Sequence, residues 1–344
     1  MIKYKSYADR KENPLKNKRI LLFLCVCLCL MMSACGKDDS EEETKENVNY
    51  ERAASVNNGT LADDSVAVSI GKTTVSYAEY RAYDYFMKNQ FESVLGQDVW
   101  RYKLDESGKT VGQAAIEDVL RLIIQVKVIN RAAADQKVVL AADEKEEADN
   151  SASQYCESLT DQVKKEKGIN AVLVSSIFEE NKLAEKMYNI VIGKAKVKFS
   201  DEQCEAARVQ LIFLRADNAN RETVKKTAGE LRNQAVKENS FYSFAKENTQ
   251  ADQVEILVGR QDARTKLTEA VLNLKQGSIS EVIEETDGYY IAYCVERDNK
   301  TIRTEYKNQI VEERQNEAFS RAYSEWAAGY EVKASRSLLV EEES

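Results

Sequence analysis

The stretch 273–296, NLKQGSISEVIEETDGYYIAYCVE, constrains the fold of this chain more than any other. Leu272 and Leu274 close a helical stretch. Lys275-Gln276-Gly277 then reads as a turn, with Gly277 where a helix end takes a left-handed residue. Asp287-Gly288 is a strong hairpin signal between two strands. Beyond it, Tyr289, Ile291, Tyr293 and Val295 alternate with Tyr290, Ala292 and Cys294, the period of two that one buried face produces. The pattern is a helix-turn-hairpin unit and carries no chemistry by itself.

Composition narrows the chemistry. At 344 residues the chain holds one large domain or two ordinary ones. Charged residues make up 31% and the mean hydropathy is −0.52, which excludes a membrane protein of several spans. There is no histidine, and the single proline is Pro14. Without histidine the commonest general base and metal ligand at neutral pH is missing, so a Ser-His-Asp triad and a His-ligated zinc are excluded. No cofactor and no metal is expected.

The first 34 residues read as a targeting segment. Lys16, Lys18 and Arg19 precede an apolar run from Ile20 to Met32, too short for a stable span. The run ends in Met32-Ser33-Ala34-Cys35, followed by Gly36 and an acidic stretch, and resembles a bacterial lipobox. That resemblance implies lipidation of Cys35, two acyl chains that suffice for stable anchoring, and a place on the outer face of a bacterial cell membrane. An ordinary signal peptide or a plain anchor is the alternative. Without residues 1–34 the chain keeps 42 basic and 56 acidic residues, a formal charge of −14. Such a balance argues against nucleic acid and against lying on anionic lipid. Cys156, Cys204 and Cys294 remain, an odd number without CxxC spacing, and read as small buried residues rather than a disulfide framework.

Residues 35–65 are polar, acidic and aperiodic, the composition of a flexible tether. Val66, Val68 and Ile70 alternate as a strand that turns at Gly71-Lys72. Ser76 with Glu79 forms a capping box for a helix carrying Tyr80, Tyr83, Met87 and Phe91. That aromatic stripe fits core packing, or a groove for unfolded segments. A polar link, 96–112, leads to a helix from Ala114 to Gln136, apolar nearly all round through Val119, Leu120, Ile123, Ile124, Val126 and Ile129. Asp143 with Glu146 reads as a second capping box, Asn170 as the cap of a further helix, and Ser200 with Gln203 as a third box. Region 66–205 is thus expected to be mainly helical, with no polar cluster resembling a site.

From Ala207 the period changes to that of strands. Val209, Leu211 and Phe213 alternate, 222–238 and 241–247 read as helices, 254–259 as a strand and 263–274 as a helix. The order β-α-α-β-α-β-β over 207–297, with Asn273-Leu274-Lys275-Gln276-Gly277-Ser278-Ile279-Ser280 and Asp287-Gly288-Tyr289-Tyr290-Ile291, resembles a parvulin-type (PpiC) peptidyl-prolyl isomerase domain. The stretch SIGKTTVSYAEY resembles the start of the chaperone domain in secreted foldases of the PrsA/SurA kind. A helix from Thr301 to Tyr330, with Trp326 near its end, resembles the C-terminal helix those foldases return to their N-terminal domain. The implied fold class is α+β: a mainly helical chaperone-like domain at 66–205, a parvulin-like domain inserted at 206–298, and a returning helix at 299–335.

Prolyl isomerisation has a barrier of roughly 20 kcal/mol and needs no nucleophile. The enzyme holds the proline ring in an apolar pocket and favours the twisted amide. Parvulins do this with two histidines, a Cys or Asp, and a pocket of Met and Phe. By the resemblance, the histidines fall on Gln210 and Tyr290 and the acidic or thiol position near Val254 or Glu255. The pocket Met falls near Ala263, its Phe on Leu267 and a nearby Pro on Thr265, with Leu272 a further substrate contact. Replacing Met and Phe by Ala and Leu removes apolar contact of about 1–3 kcal/mol. The expectation is a membrane-anchored chaperone for unfolded exported polypeptides with little isomerase activity. An active isomerase, and a structural lipoprotein using the fold to dock one partner, are the rivals.

Overall fold

The computed structural model describes residues 48–51, 62–104, 108–195, 197–335 and 338. Cys35 and the apolar run before it lie outside the described residues. Among the described residues no helix is long and apolar enough to cross a membrane. Along the chain come β1 (Val48–Glu51), β2 (Val66–Ile70), β3 (Thr73–Ser76), α1 (Tyr77–Leu95), α2 (Val111–Asp135), α3 (Ala142–Ser158), α4 (Asp161–Lys167) and α5 (Ala171–Lys194). They continue with β4 (Ala206–Arg215), α6 (Arg221–Ala235), α7 (Phe241–Asn248), β5 (Glu255–Gly259), α8 (Thr265–Asn273), β6 (Ile283–Glu284), β7 (Gly288–Glu296), α9 (Lys300–Ala327) and β8 (Val332–Ser335). The architecture is α+β, divided into two compact units. One combines Met1–Lys194 with Asn316–Ser344, and the other is Ala195–Gln315. The division cuts α9, so that 300–315 belongs to the second unit and 316–327 to the first.

In the first unit α2 is the central helix, with Val119, Leu120, Ile123, Ile124, Val126 and Ile129 all buried. Tyr80, Tyr83 and Met87 of α1 are buried in the same core, whereas Phe91 is 39% exposed and meets Trp100 edge-on at 6.1 Å. Three of the four stripe residues are therefore packing residues. The caps depart from the sequence reading in instructive ways. Ser76 Oγ accepts from the Glu79 N–H at 3.2 Å, but the Glu79 carboxylate sits 2.7 Å from Lys127 Nζ, so the salt bridge takes it from the capping box. Helix α3 begins at Ala142, and its cap is the Ala141 N–H donating to Glu144 at 2.7 Å rather than an Asp143–Glu146 pair. Asn170 does cap α5, accepting from the Leu173 N–H at 2.9 Å. Ser200 and Gln203 bond reciprocally, yet around a turn instead of a helix start.

A polar cluster does exist in this unit, contrary to the sequence reading. Lys127 on α2 is 8% exposed and lies 2.7 Å from both Glu79 of α1 and Glu180 of α5. One-dimensional pattern does not reveal it, because its three residues are 48 and 53 positions apart along the chain. Two strands also escaped the pattern. β8 pairs antiparallel with β2 (Val68↔Ala334, Ile70↔Val332), and β1, inside the stretch read as a tether, pairs parallel with β8. Each is four residues, too short for alternation to register. The sheet order is β1-β8-β2-β3. Phe319 of α9 is buried against Ile129, Ala132 and Met187, with Trp326 packed on the same cluster.

The second unit is a four-stranded antiparallel sheet in the order β5-β4-β7-β6. Both faces are covered, which corrects the expectation of one buried face. Val209, Leu211, Phe213, Tyr290, Ala292 and Cys294 pack beneath Leu267 and Val271 of α8. Ile212, Leu214, Tyr289 and Ile291 pack on the opposite face with Ala228 of α6 and Phe241 and Ala245 of α7. A strand between two helical layers is apolar at odd and even positions alike, and its alternation reports only the pleat.

Candidate functional site

The face beneath α8 carries the polar groups that matter. Tyr290, on β7, stacks on Phe213 of β4, centroids 4.7 Å apart and planes at 24°. Its hydroxyl donates to Asp287 Oδ2 at 2.6 Å. The Arg264 guanidinium also lies over the ring, 5.5 Å from its centroid. Asp262 holds Arg264 in place, accepting from its Nε at 2.9 Å and its Nη2 at 2.6 Å. Burial and donation to Asp287 push the Tyr290 hydroxyl well above its ordinary range, so it stays a neutral donor at any physiological pH. Cys294 on this face is fully buried, and burial raises its thiol, as for a packing residue.

Helix α8 is fixed to the same place by a carboxylate from outside it. Glu285, 8% exposed, accepts from the Leu267 N–H at 2.9 Å and so caps the first turn from the β6–β7 connection. That connection is a tight turn, with the Glu285 N–H bonded to the Gly288 carbonyl at 2.9 Å and Glu284 opposite Tyr289. The turn therefore centres on Thr286-Asp287, one residue before the Asp-Gly pair of the sequence reading. Gly288 has another task. A Cβ there would lie 2.1 Å from the Leu214 carbonyl oxygen, so only glycine lets β7 meet β4 at this point.

The structure does not bring Gln210 and Tyr290 together. Gln210 stands opposite Tyr293, Tyr290 opposite Phe213, and the two fall on opposite faces because their positions differ in parity along the paired strands. Gln210 instead donates to Glu255 at 2.9 Å, on the face where Tyr293 stacks on Phe241. Leu267 shares the face of Tyr290 and is fully buried. Leu272 is buried and its carbonyl accepts from Arg297 at 3.1 Å, while Ala263 is exposed. Val254 packs on the far face and Thr265 opens α8 at the surface. Phe213, Asp262, Arg264, Glu285 and Asp287 complete the cluster and were not named from sequence as site residues, Phe213 being read only as a strand position. Asp287 was legible only as a turn residue. The Asp262-x-Arg264 spacing was the signal that would have found the pair that closes over Tyr290.

Residues 208–296 match the family model described as Rotamase: PPIC-type PPIASE domain. They form a PPIC-type domain. Among solved structures the chain is similar to an isolated PpiC-type peptidyl-prolyl cis-trans isomerase domain, at 20% identity and a TM-score of 0.27, over 29% of this chain and 99% of that one. It is similar to a peptidylprolyl isomerase (PrsA) from Bacillus anthracis at 15% identity and TM-score 0.36, over 59% and 96% of the two chains. A third likeness is to the SurA-like chaperones PEB4 and Cj1289 of Campylobacter jejuni, at 15% identity and TM-score 0.30, over 79% and 99%. No curated protein matches. In this PPIC-type domain the face beneath α8 is occupied by the domain's own arginine, tyrosine and carboxylates.

Proposed function

We propose that this chain is a lipid-anchored, extracytoplasmic chaperone of the PrsA/SurA type, which binds unfolded exported polypeptides and whose PPIC-type domain has little or no isomerase activity. The observation that carries the second half is the closure over Tyr290. With Arg264 over its ring, Asp287 on its hydroxyl and Leu267 fully buried beside it, the group at one family histidine position is a neutral, satisfied donor. The residue at the other, Gln210, lies on the opposite face. A site that twists a prolyl amide needs an apolar seat for the ring and groups that favour the twisted state more than the planar one. Around Tyr290 the described residues place Arg264 and Asp287 instead, which supports this reading.

The match of 208–296 to the rotamase family and the lipobox-like Met32-Ser33-Ala34-Cys35 support the class and the location. The acidic balance steers basic clients, an attraction that salt weakens. The test has two arms on the 36–344 chain. A proline-peptide assay gives the background rate, unchanged by Gln210→Ala or Tyr290→Phe. Aggregation of a reduced, unfolded test protein slows without ATP. Turnover above background that falls with either substitution favours the isomerase reading, and no protection at several-fold excess ends the chaperone reading. In cells, Cys35→Ala releases the protein from the membrane fraction.

A further inference from the structure

The edge of the first unit's sheet carries an arrangement that a tether does not require. On one side β8 bonds antiparallel to β2, with Val68, Ser69 and Ile70 opposite Ala334, Lys333 and Val332. On its other side the partner is β1, running parallel with Val48 opposite Val332 and Glu51 opposite Ser335. β1 is the end strand of this sheet, four residues long. Parallel pairing is the weaker kind per residue. The few hydrogen bonds gained nearly balance the entropy lost in ordering so short a segment. A strand held on those terms exchanges.

We propose that the outer edge of β8 is a strand-accepting site for an extended stretch of unfolded polypeptide, and that residues 48–51 occupy it as a removable stand-in. This rests on the chaperone reading above and names where a client would bind. A vacated β8 edge presents a row of backbone N–H and C=O groups, the template to which extended peptides add. The site has a preference. Val332 and Ala334 are buried at 9% and 2% exposure, while Lys333 and Ser335 are half-buried, so an incoming strand meets the core at every second residue. The stand-in has that form, with Val48 and Tyr50 in register with Val332 and Ala334. The accepted class is therefore a stretch alternating apolar and polar residues, as an unfolded β-rich protein exposes. When no client is bound, β1 keeps the edge from pairing with other copies.

The test locks or frees β1 in the full chain. Tyr50→Cys with Ala334→Cys places two thiols at paired positions, and the probe is a fluorescent eight-residue peptide of alternating Val and Thr. Oxidised, the double variant binds the peptide about tenfold more weakly than after reduction. Asn49→Pro with Glu51→Pro removes two N–H donors from β1 and binds it more tightly than the parent. Equal binding by the oxidised and reduced forms overturns the proposal, and so does failure of the disulfide to form, since β1 is then not seated. If the proline variant is unfolded by circular dichroism, the oxidised-against-reduced comparison decides alone. Aggregation protection that persists whether β1 is locked or free sinks the strand site and leaves the chaperone reading standing. Lock-dependent peptide binding without any protection does the reverse.

Discussion

Two buried polar clusters carry the residue-scale predictions. In the PPIC-type domain, Tyr290→Phe leaves Asp287 Oδ2 without its donor, and the structure predicts a loss of about 1–3 kcal/mol in urea unfolding with no change in proline-peptide turnover. In the first unit, Lys127 bridges Glu79 and Glu180. Lys127→Met strands two carboxylates and costs about 3–5 kcal/mol at neutral pH, by the same measurement. The pH dependence follows from Glu180, whose carboxyl is raised because burial outweighs the pull of Lys127. A raised carboxyl binds its proton more tightly folded than unfolded. Its contribution is thus greatest below the ordinary glutamate pKa and declines as pH rises from there through the raised value. Thermal melts across that window should slope downward with pH, and Glu180→Gln should flatten the slope.

At the scale of elements, the β6–β7 turn ties the sheet to α8. Glu285 caps α8, Asp287 holds Tyr290, and Gly288 admits the Leu214 carbonyl, all within four residues. Gly288→Ala forces a methyl group against backbone that has no rotamer to move. A destabilisation of about 3 kcal/mol or more is expected by urea unfolding. A Cβ added at Gly277 would meet nothing within 4 Å, so glycine is needed there for the positive φ of +76° alone, and Gly277→Ala should cost only about 1 kcal/mol. The contrast separates two reasons for glycine that the letters of the sequence do not distinguish.

For the molecule as a whole, the two units make separate predictions. Both tryptophans, Trp100 and Trp326, belong to the first unit, so tryptophan fluorescence follows its unfolding and not that of the PPIC-type domain. Phe319 is buried in that unit, edge-on to Tyr188 at 5.0 Å. Phe319→Ala should lower the fluorescence-detected transition by about 3–5 kcal/mol. The amide exchange of β4 and β7 should stay as it was.

Sequence alone determined the elements whose signals are local. The nearly all-round apolar run of α2, the Asn170 cap and the order of strands and helices from Ala206 to Glu296 are written in neighbouring residues, and so is the resemblance of that stretch to a rotamase domain. Tertiary structure decided what depends on distant partners. It put Gln210 and Tyr290 on opposite faces, because parity across paired strands is set by register. It brought Glu79 to Lys127 instead of its own cap, because a buried ammonium holds a carboxylate more strongly than a neutral backbone N–H does. It also drew residues 48–51 onto β8, a pairing of segments nearly 300 residues apart that no window of sequence contains.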